Sequence, residues 1–157
     1  VQENFIVMIR KVLVFLLVVL LIIQFFRPAK NISHADQPNA LAKVYPIPAD
    51  VDTVLQNACY NCHSNNSKYP WYFNIQPSAW FLANHIKDGR RHLNFDEFMA
   101  YSKEKQDDKL KDLPDMVEHE EMPLPSYTWI HRDARLNEHQ KAIVSAWAKQ
   151  LRAQIKK

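Results

Sequence analysis

The chain is poor in glycine and in cysteine. It has one glycine, Gly89, in 157 residues. Two-residue hairpin turns favour residues that accept positive φ, glycine above all, so an all-β architecture is disfavoured and an all-α one is expected. There are only two cysteines, Cys59 and Cys62, with no second pair to complete a four-ligand zinc site. A surplus of one charge is also missing from most of the chain. Of 20 Lys and Arg, four (Arg10, Lys11, Arg27 and Lys30) flank one apolar run, and of 17 Asp and Glu only Glu3 precedes residue 31, which leaves 16 of each sign in residues 31–157. A nucleic-acid partner would call for a clear basic surface, and none is supplied. There is no internal repeat and no low-complexity tract.

What is present begins with that apolar run, VLVFLLVVLLII at residues 12–23, extended by Phe25 and Phe26. Some 15 helical residues reach about 22 Å, short of a hydrocarbon core of about 30 Å, but Ile9 adds length and the flanking basic side chains can snorkel to the headgroups. No polar face exists to suit a buried helix of a soluble protein. A cleaved signal would carry small residues after the run, whereas this one ends in QFFRPAK. Residues 1–27 are therefore expected to be a retained single-pass anchor. Residues 28–47 contain Pro28, Pro38 and Pro46 and read as an extended linker. Residues 48–157 make the domain.

Helix signals recur in that domain. Asp50 could cap a helix through VDTVLQNACYNCH, with Val51, Val54, Leu55 and Ala58 on one face. Pro77 suits the first turn of PSAWFLANHIKD, which Gly89 is expected to stop. Asn94 with Glu97, and Asn137 with Gln140, give capping patterns, the second ahead of Ile143, Trp147, Leu151 and Ile155 at four-residue spacing. The charged stretch from Lys103 to Glu121, interrupted by Pro114, is expected to form one or two short helices.

The chemistry concentrates in CYNCH. On a helix Cys59, Cys62 and His63 stand at i, i+3 and i+4 and share a face. A zinc site would need further ligands, and adjacent Cys62 and His63 would crowd one metal. A thioredoxin-like pair would need a strand–helix context. A disulfide across two residues would be strained and would leave His63 without a purpose. The remaining reading is covalent haem attachment, with two thiols on the vinyl groups and the next histidine on the iron. That modification is normally made outside the cytoplasm, which sets the domain in the periplasm or on the outer face of the cytoplasmic (inner) membrane, with Arg10 and Lys11 inside. A covalently held ring would also enlarge the core of a domain of about 110 residues.

For the second axial position the candidates are Met99, Met116, Met122 and the other histidines. Met122 lies in EEMPLPSY, where Pro123 and Pro125 keep the segment from collapsing into a helix. Met99 and Met116 fall in helical periodicity and read as packing residues. His85, His92 and His119 are the histidines to weigh for bis-histidine ligation. The order of attachment helix, Met-Pro loop and C-terminal helix resembles a class I cytochrome c, and by that resemblance Met122 is the distal ligand.

The run CYNCHSNNSKYPWYFNIQPSAWFLANHIKDGRRHLNFDEF, then EMPLPSYTWIHRDARLNEHQ, then a tryptophan in the last helix, resembles the bacterial haem-binding domain family over roughly residues 45–150. The resemblance implies a small exported protein with one haem c and carries Cys59, Cys62, His63 and Met122 over as haem residues. It implies no reaction. Trp71, Tyr72, Trp80, Tyr127 and Trp129 are candidates to pack on the ring or donate to its propionates, and Arg90 and Arg91 are candidates to pair with them. Trp147 reads as core.

Three function classes follow. The first is an electron carrier with six-coordinate iron, paired with a redox protein partner; the acidic excess of Lys103–Glu121 is a candidate docking face for a basic one. The second is a peroxidase-like enzyme, which requires an open iron position and acid–base groups beside it. The third is a haem sensor or assembly subunit. The electron carrier, not an enzyme, is the expectation.

Overall fold

The computed structural model describes residues 2–156, all-helical, with no strand among the described residues. Among the described residues eight helices follow one another: α1 Gln2–Ile23, α2 Leu41–Val44, α3 Ala49–Ala58, α4 Tyr60–His63, α5 Ser78–His92, α6 Lys103–Glu118, α7 Pro125–Thr128 and α8 Glu138–Ile155. Short 3-10 turns occupy Trp71–Asn74, Phe95–Ala100 and Arg132–Ala134. The chain divides into two compact units, Val1–Lys30 with Tyr69–His85, and Asn31–Lys68 with Ile86–Lys157.

In the first unit, α1 contains a 19-residue stretch, Phe5–Ile23, long and apolar enough to cross a membrane, none of it buried. Nineteen residues reach about 28 Å, closer to a bilayer core than the uninterrupted run alone. The helix continues N-terminal to Arg10 and Lys11, so that basic pair lies within it rather than ahead of it. Phe73, Ala79 and Leu82 form the buried apolar part of the Tyr69–His85 segment.

The second unit is built on α6 and α8, which pack along each other, and on α3 against α8. Its core joins Val54 and Leu55 of α3, Phe98, Leu110 of α6, and Val144, Trp147 and Leu151 of α8. The four-residue spacing in α8 marks this seam, with Trp147, Leu151 and Ile155 buried and Ile143 partly so. The expected capping box is complete: the Asn137 side chain accepts from the Gln140 amide, and the Gln140 side chain accepts from that of Asn137.

The charged segment forms one helix, α6, capped by Ser102 and passing through Pro114. A proline inside a helix costs about 3 kcal/mol through the lost hydrogen bond and the ring clash. Here Pro114 is buried together with Leu110 and Val117, and that packing offsets the local penalty. Two residues behave differently from their local signals. Asp50 does not cap α3: the cap position is Pro48, and the Asp50 carboxylate accepts from the next amide, Val51. Gly89 does not end α5, which runs on to His92.

Residues 31–47, where an extended linker is expected, are tied into the second unit. The Asn31 amide donates to the Ser64 carbonyl and the Ser67 hydroxyl, both at 2.9 Å. The Ser33 N–H donates to Asn66 at 2.9 Å. Leu41 of α2 is 1% exposed and belongs to the core. An isolated Leu among polar and proline residues gives no periodic signal, so its burial is set by tertiary contact.

Candidate functional site

The CYNCH segment is a broken helix rather than a continuous one. α3 closes at Ala58, Cys59 sits at the junction with φ −119° and ψ −48°, and α4 restarts at Tyr60. The Cys59 carbonyl then accepts from both Cys62 N–H (3.1 Å) and His63 N–H (3.0 Å). This turn brings the three side chains together. Both thiols are free.

The turn is fastened from three directions. Asn61, between the cysteines, donates its amide to the Tyr127 hydroxyl at 2.8 Å, and its side-chain oxygen accepts from Lys68 N–H at 3.1 Å. Its carbonyl accepts from the Ser67 hydroxyl at 2.6 Å. From α5, Gly89 presses directly on the turn. A Cβ at position 89 would lie 2.7 Å from the Cys62 carbonyl oxygen and 3.1 Å from its Cβ. Glycine is there to let two backbones approach, not to end the helix.

His63 is positioned by the stretch after α5. Its Nδ1 lies 2.9 Å from the Leu93 carbonyl. A carbonyl only accepts, so Nδ1 carries the proton and Nε2 keeps its lone pair, the tautomer a metal takes. Burial pushes the His63 pKa down; the Leu93 and Gly89 carbonyls oppose that, and His92 adds to it. The imidazole is therefore held neutral. The thiols are also held in their neutral forms. Burial, with the neighbouring Cys62, pushes Cys59 up to about 12, and burial pushes Cys62 up to about 11. Reactive and zinc-binding cysteines need the opposite, a depressed pKa that yields thiolate. Among the described residues no group of three or more His, Cys, Asp or Glu is arranged to hold a metal ion.

Beneath His63 lies a polar network around Asn65. It receives Arg90 and Asn94 on its side-chain oxygen, both at 2.8 Å, donates to Gln37 and Glu97, and gives its N–H to Asp96 at 2.7 Å. Asn65 and Asn94 are buried. The network fixes the Leu93–Asn94 backbone that holds the imidazole.

Cys59 and His63 open onto an apolar cavity of about 340 Å³, and Met122 and Pro123 line the same cavity. That is within the range of roughly 300–1,000 Å³ common for ligand sites. Phe95, Leu113, Leu136 and Val144 supply apolar wall. Cys62, though in the same turn, is not among the lining residues. A second cavity of about 410 Å³ also has Met122 and Pro123 in its wall, with Trp129 and Arg135.

Met122 reaches this wall through the end of α6. The Met116 carbonyl accepts from both Glu121 N–H (2.9 Å) and Met122 N–H (3.0 Å), and Glu120 adopts φ 57° to make the reversal. Pro125 then starts α7, with its missing donor in the first turn where none is needed.

Several lining residues have no local signal. Met116, read from periodicity as a packing residue, also lines the first cavity, as do His92, Lys109 and Asp112. Of the three histidines weighed as alternative ligands, His92 alone is on that wall. His85 donates to the Phe81 carbonyl within α5, and His119, just past α6, to that of Asp115, each at 2.8 Å. The two arginines are engaged elsewhere: Arg90 with Asn65, and Arg91 with Asp88 on the surface. Trp147 is core, as its spacing suggests.

The family of haem-binding domains matches residues 18–150, most of the chain. This protein belongs to the haem-binding domain family. No curated protein and no solved structure matches the chain. Haem is thus the cofactor to test against the residues of this haem-binding domain, and they suit it. The wall is apolar, the imidazole is neutral with Nε2 unprotonated, and two thioether side chains, Met116 and Met122, share the cavity. Neutral nitrogen and thioether sulfur are established ligands of haem iron.

Proposed function

We propose that this haem-binding domain is a monohaem c-type cytochrome that carries electrons, tethered by α1. The observation that carries the reading is the meeting of Cys59, His63 and Met122 on one apolar cavity, although 58 residues of chain lie between His63 and Met122. Cys59 and Cys62 would hold the ring as thioethers, His63 would ligate through Nε2, and Met122 would supply the second ligand. When bound, haem supplies a one-electron couple. The chain's own part is to keep water from the site with Phe95, Leu113 and Leu136, to keep the imidazole in one tautomer through Leu93, and to fix the sulfur through the Glu120 reversal. Neutral ligands in an apolar wall favour the less charged ferrous state and raise the potential. Attachment through thioethers, made outside the cytoplasm, would set the domain in the periplasm or on the outer face of the cytoplasmic membrane, where it would exchange electrons with a redox protein.

The test is the absorption spectrum of the oxidised protein, matured in a host able to attach haem. A sulfur-to-iron charge-transfer band is expected, lost in Met122→Ala, with the haem retained through acid–acetone extraction. A band that survives Met122→Ala would reject this ligand, and haem lost to extraction would reject the c-type attachment. A second reading, peroxidase-like or gas-binding chemistry at an open iron position, draws on His92, Lys109 and Asp112, which place ionisable groups on the same wall. Ready carbon monoxide binding by the unaltered ferrous protein without loss of a protein ligand would favour it.

A further inference from the structure

We propose that residues 69–85 form an aromatic collar that lies in the headgroup boundary of the same bilayer that α1 crosses. The inference rests on the reading of α1 as a membrane span, and on where the chain attaches this segment to it.

The last turn of an apolar helix leaves carbonyls without intrahelical donors. Those of α1 are met locally, Leu20 by the Gln24 side chain and Leu21, Ile22 and Ile23 by the N–H groups of Gln24, Phe25 and Phe26, and it is the residues just past the helix end that bond to the collar. The Phe26 carbonyl accepts from the Trp80 indole N–H and from the Gln76 side-chain amide, each at 2.8 Å. Gln24 exchanges two bonds with the Gln76 backbone, donating to its carbonyl at 3.2 Å and accepting from its N–H at 2.9 Å. Lys30 lies 5.5 Å from the centre of the Tyr69 ring, within cation–π range. Gln76 is 2% exposed, so its polar groups depend on these partners. The segment is thus fixed at the level where the apolar stretch ends.

Its composition suits that level. From Tyr69 to His85 there is no Asp, Glu, Lys or Arg, and six residues are Trp, Tyr or Phe. Phe73, Ala79 and Leu82 pack inward, which leaves Trp71 74%, Phe81 57% and Ile75 48% exposed. Phe25 and Phe26, just past α1, are 87% and 63% exposed. Exposure of so many apolar side chains on one short segment and the helix end beside it is unfavourable in water. At a bilayer boundary it is favourable, because aromatic side chains place an apolar body in the acyl region and a polar edge among headgroups. The exposed surface of α1 leads to Phe25 and Phe26 beside this segment, so one lipid phase covers both.

The full chain, reconstituted in phosphatidylcholine–phosphatidylglycerol vesicles, would carry the photo-crosslinker benzoylphenylalanine at Leu17, Trp71, Phe81 or Asp108, one position at a time. All four side chains are exposed, so the substitutions leave the packing intact. Lipid adducts, read by mass, are expected at 17, 71 and 81 and at least ten-fold less at 108. An adduct at 17 with none at 71 and 81 overturns the collar while the membrane span stands. The collar is overturned too by equal adducts at 71 and 108, or by adducts at 71 and 81 that join two copies of the chain. No adduct at 17 removes the span and the collar together.

Discussion

Asn61 and Tyr127 are 66 residues apart, and the amide of one donates to the hydroxyl of the other at 2.8 Å. The bond ties the turn between the two cysteines to the helix that follows Met122. Tyr127 also stacks on His131, with ring centroids 4.3 Å apart. A side chain placed by the Met-Pro loop thus braces the segment that carries His63.

Loss of that brace is measurable. Tyr127→Phe and Asn61→Ala should each destabilise the protein, and the double variant should cost less than their sum. The coupling expected for one part-buried hydrogen bond is about 0.5–1.5 kcal/mol. Chemical denaturation of the four proteins gives the cycle. Strict additivity would show that the pair does not interact in solution.

Gly89→Ala reverses the usual helix rule. In an exposed helix interior this change stabilises by about 1 kcal/mol. At position 89 the new methyl would meet the Cys62 carbonyl at 2.7 Å, a backbone atom that cannot swing aside. A net loss of about 1–3 kcal/mol is expected, as for overpacking. Thermal unfolding would decide, and a rise in Tm would mean that α5 stands farther from the turn than described.

The two methionines on the cavity wall should separate spectroscopically. Met122→Ala is expected to abolish the charge-transfer band of the oxidised protein, and Met116→Ala to leave it in place while lowering stability. The converse result would assign the sulfur ligand to Met116, whose carbonyl already anchors the loop.

Acid should loosen the α6–α8 seam in a predictable window. Arg152 donates to both carboxylate oxygens of Asp107, with Lys156 beside them, and this holds the Asp107 pKa down at about 2. A depressed carboxylate stabilises the fold above its unfolded pKa, near 4, and loses that contribution as pH falls towards 2. Asp107→Asn should therefore be less stable than the parent at pH 6 and should close the gap by pH 2. Urea midpoints measured across that range test it, and a gap unchanged with pH would count against the pairing.

The features legible in the sequence are those decided within a few residues. The Asn137–Gln140 box, the apolar run of α1 and the Cys59-x-x-Cys62-His63 spacing depend on local hydrogen bonds or on period. What escaped is decided by distant partners. Gly89 looked like a helix end because propensity knows nothing of the Cys62 carbonyl. Leu41 looked like linker because the core it fills is assembled from α3, α6 and α8. Pro114 looked like a break because its burial, which holds α6 together, is tertiary. Lys109 and Asp112 carry no motif at all, and only the cavity identifies them; His92 is one histidine candidate among several in the sequence, and the cavity singles it out.

The way α6 ends has a consequence for how this chain can change. Ser102 fixes the first turn, Leu110 and Val117 fix the buried face, and the Met116 carbonyl fixes the departure of Met122. One inserted residue would rotate everything beyond it by about 100° and advance it by about 1.5 Å, which would swing the sulfur off the cavity wall. Viable insertions or deletions in this helix should therefore come in sets of three or four, and the number of residues between Ser102 and Met122 is itself a specification of the site.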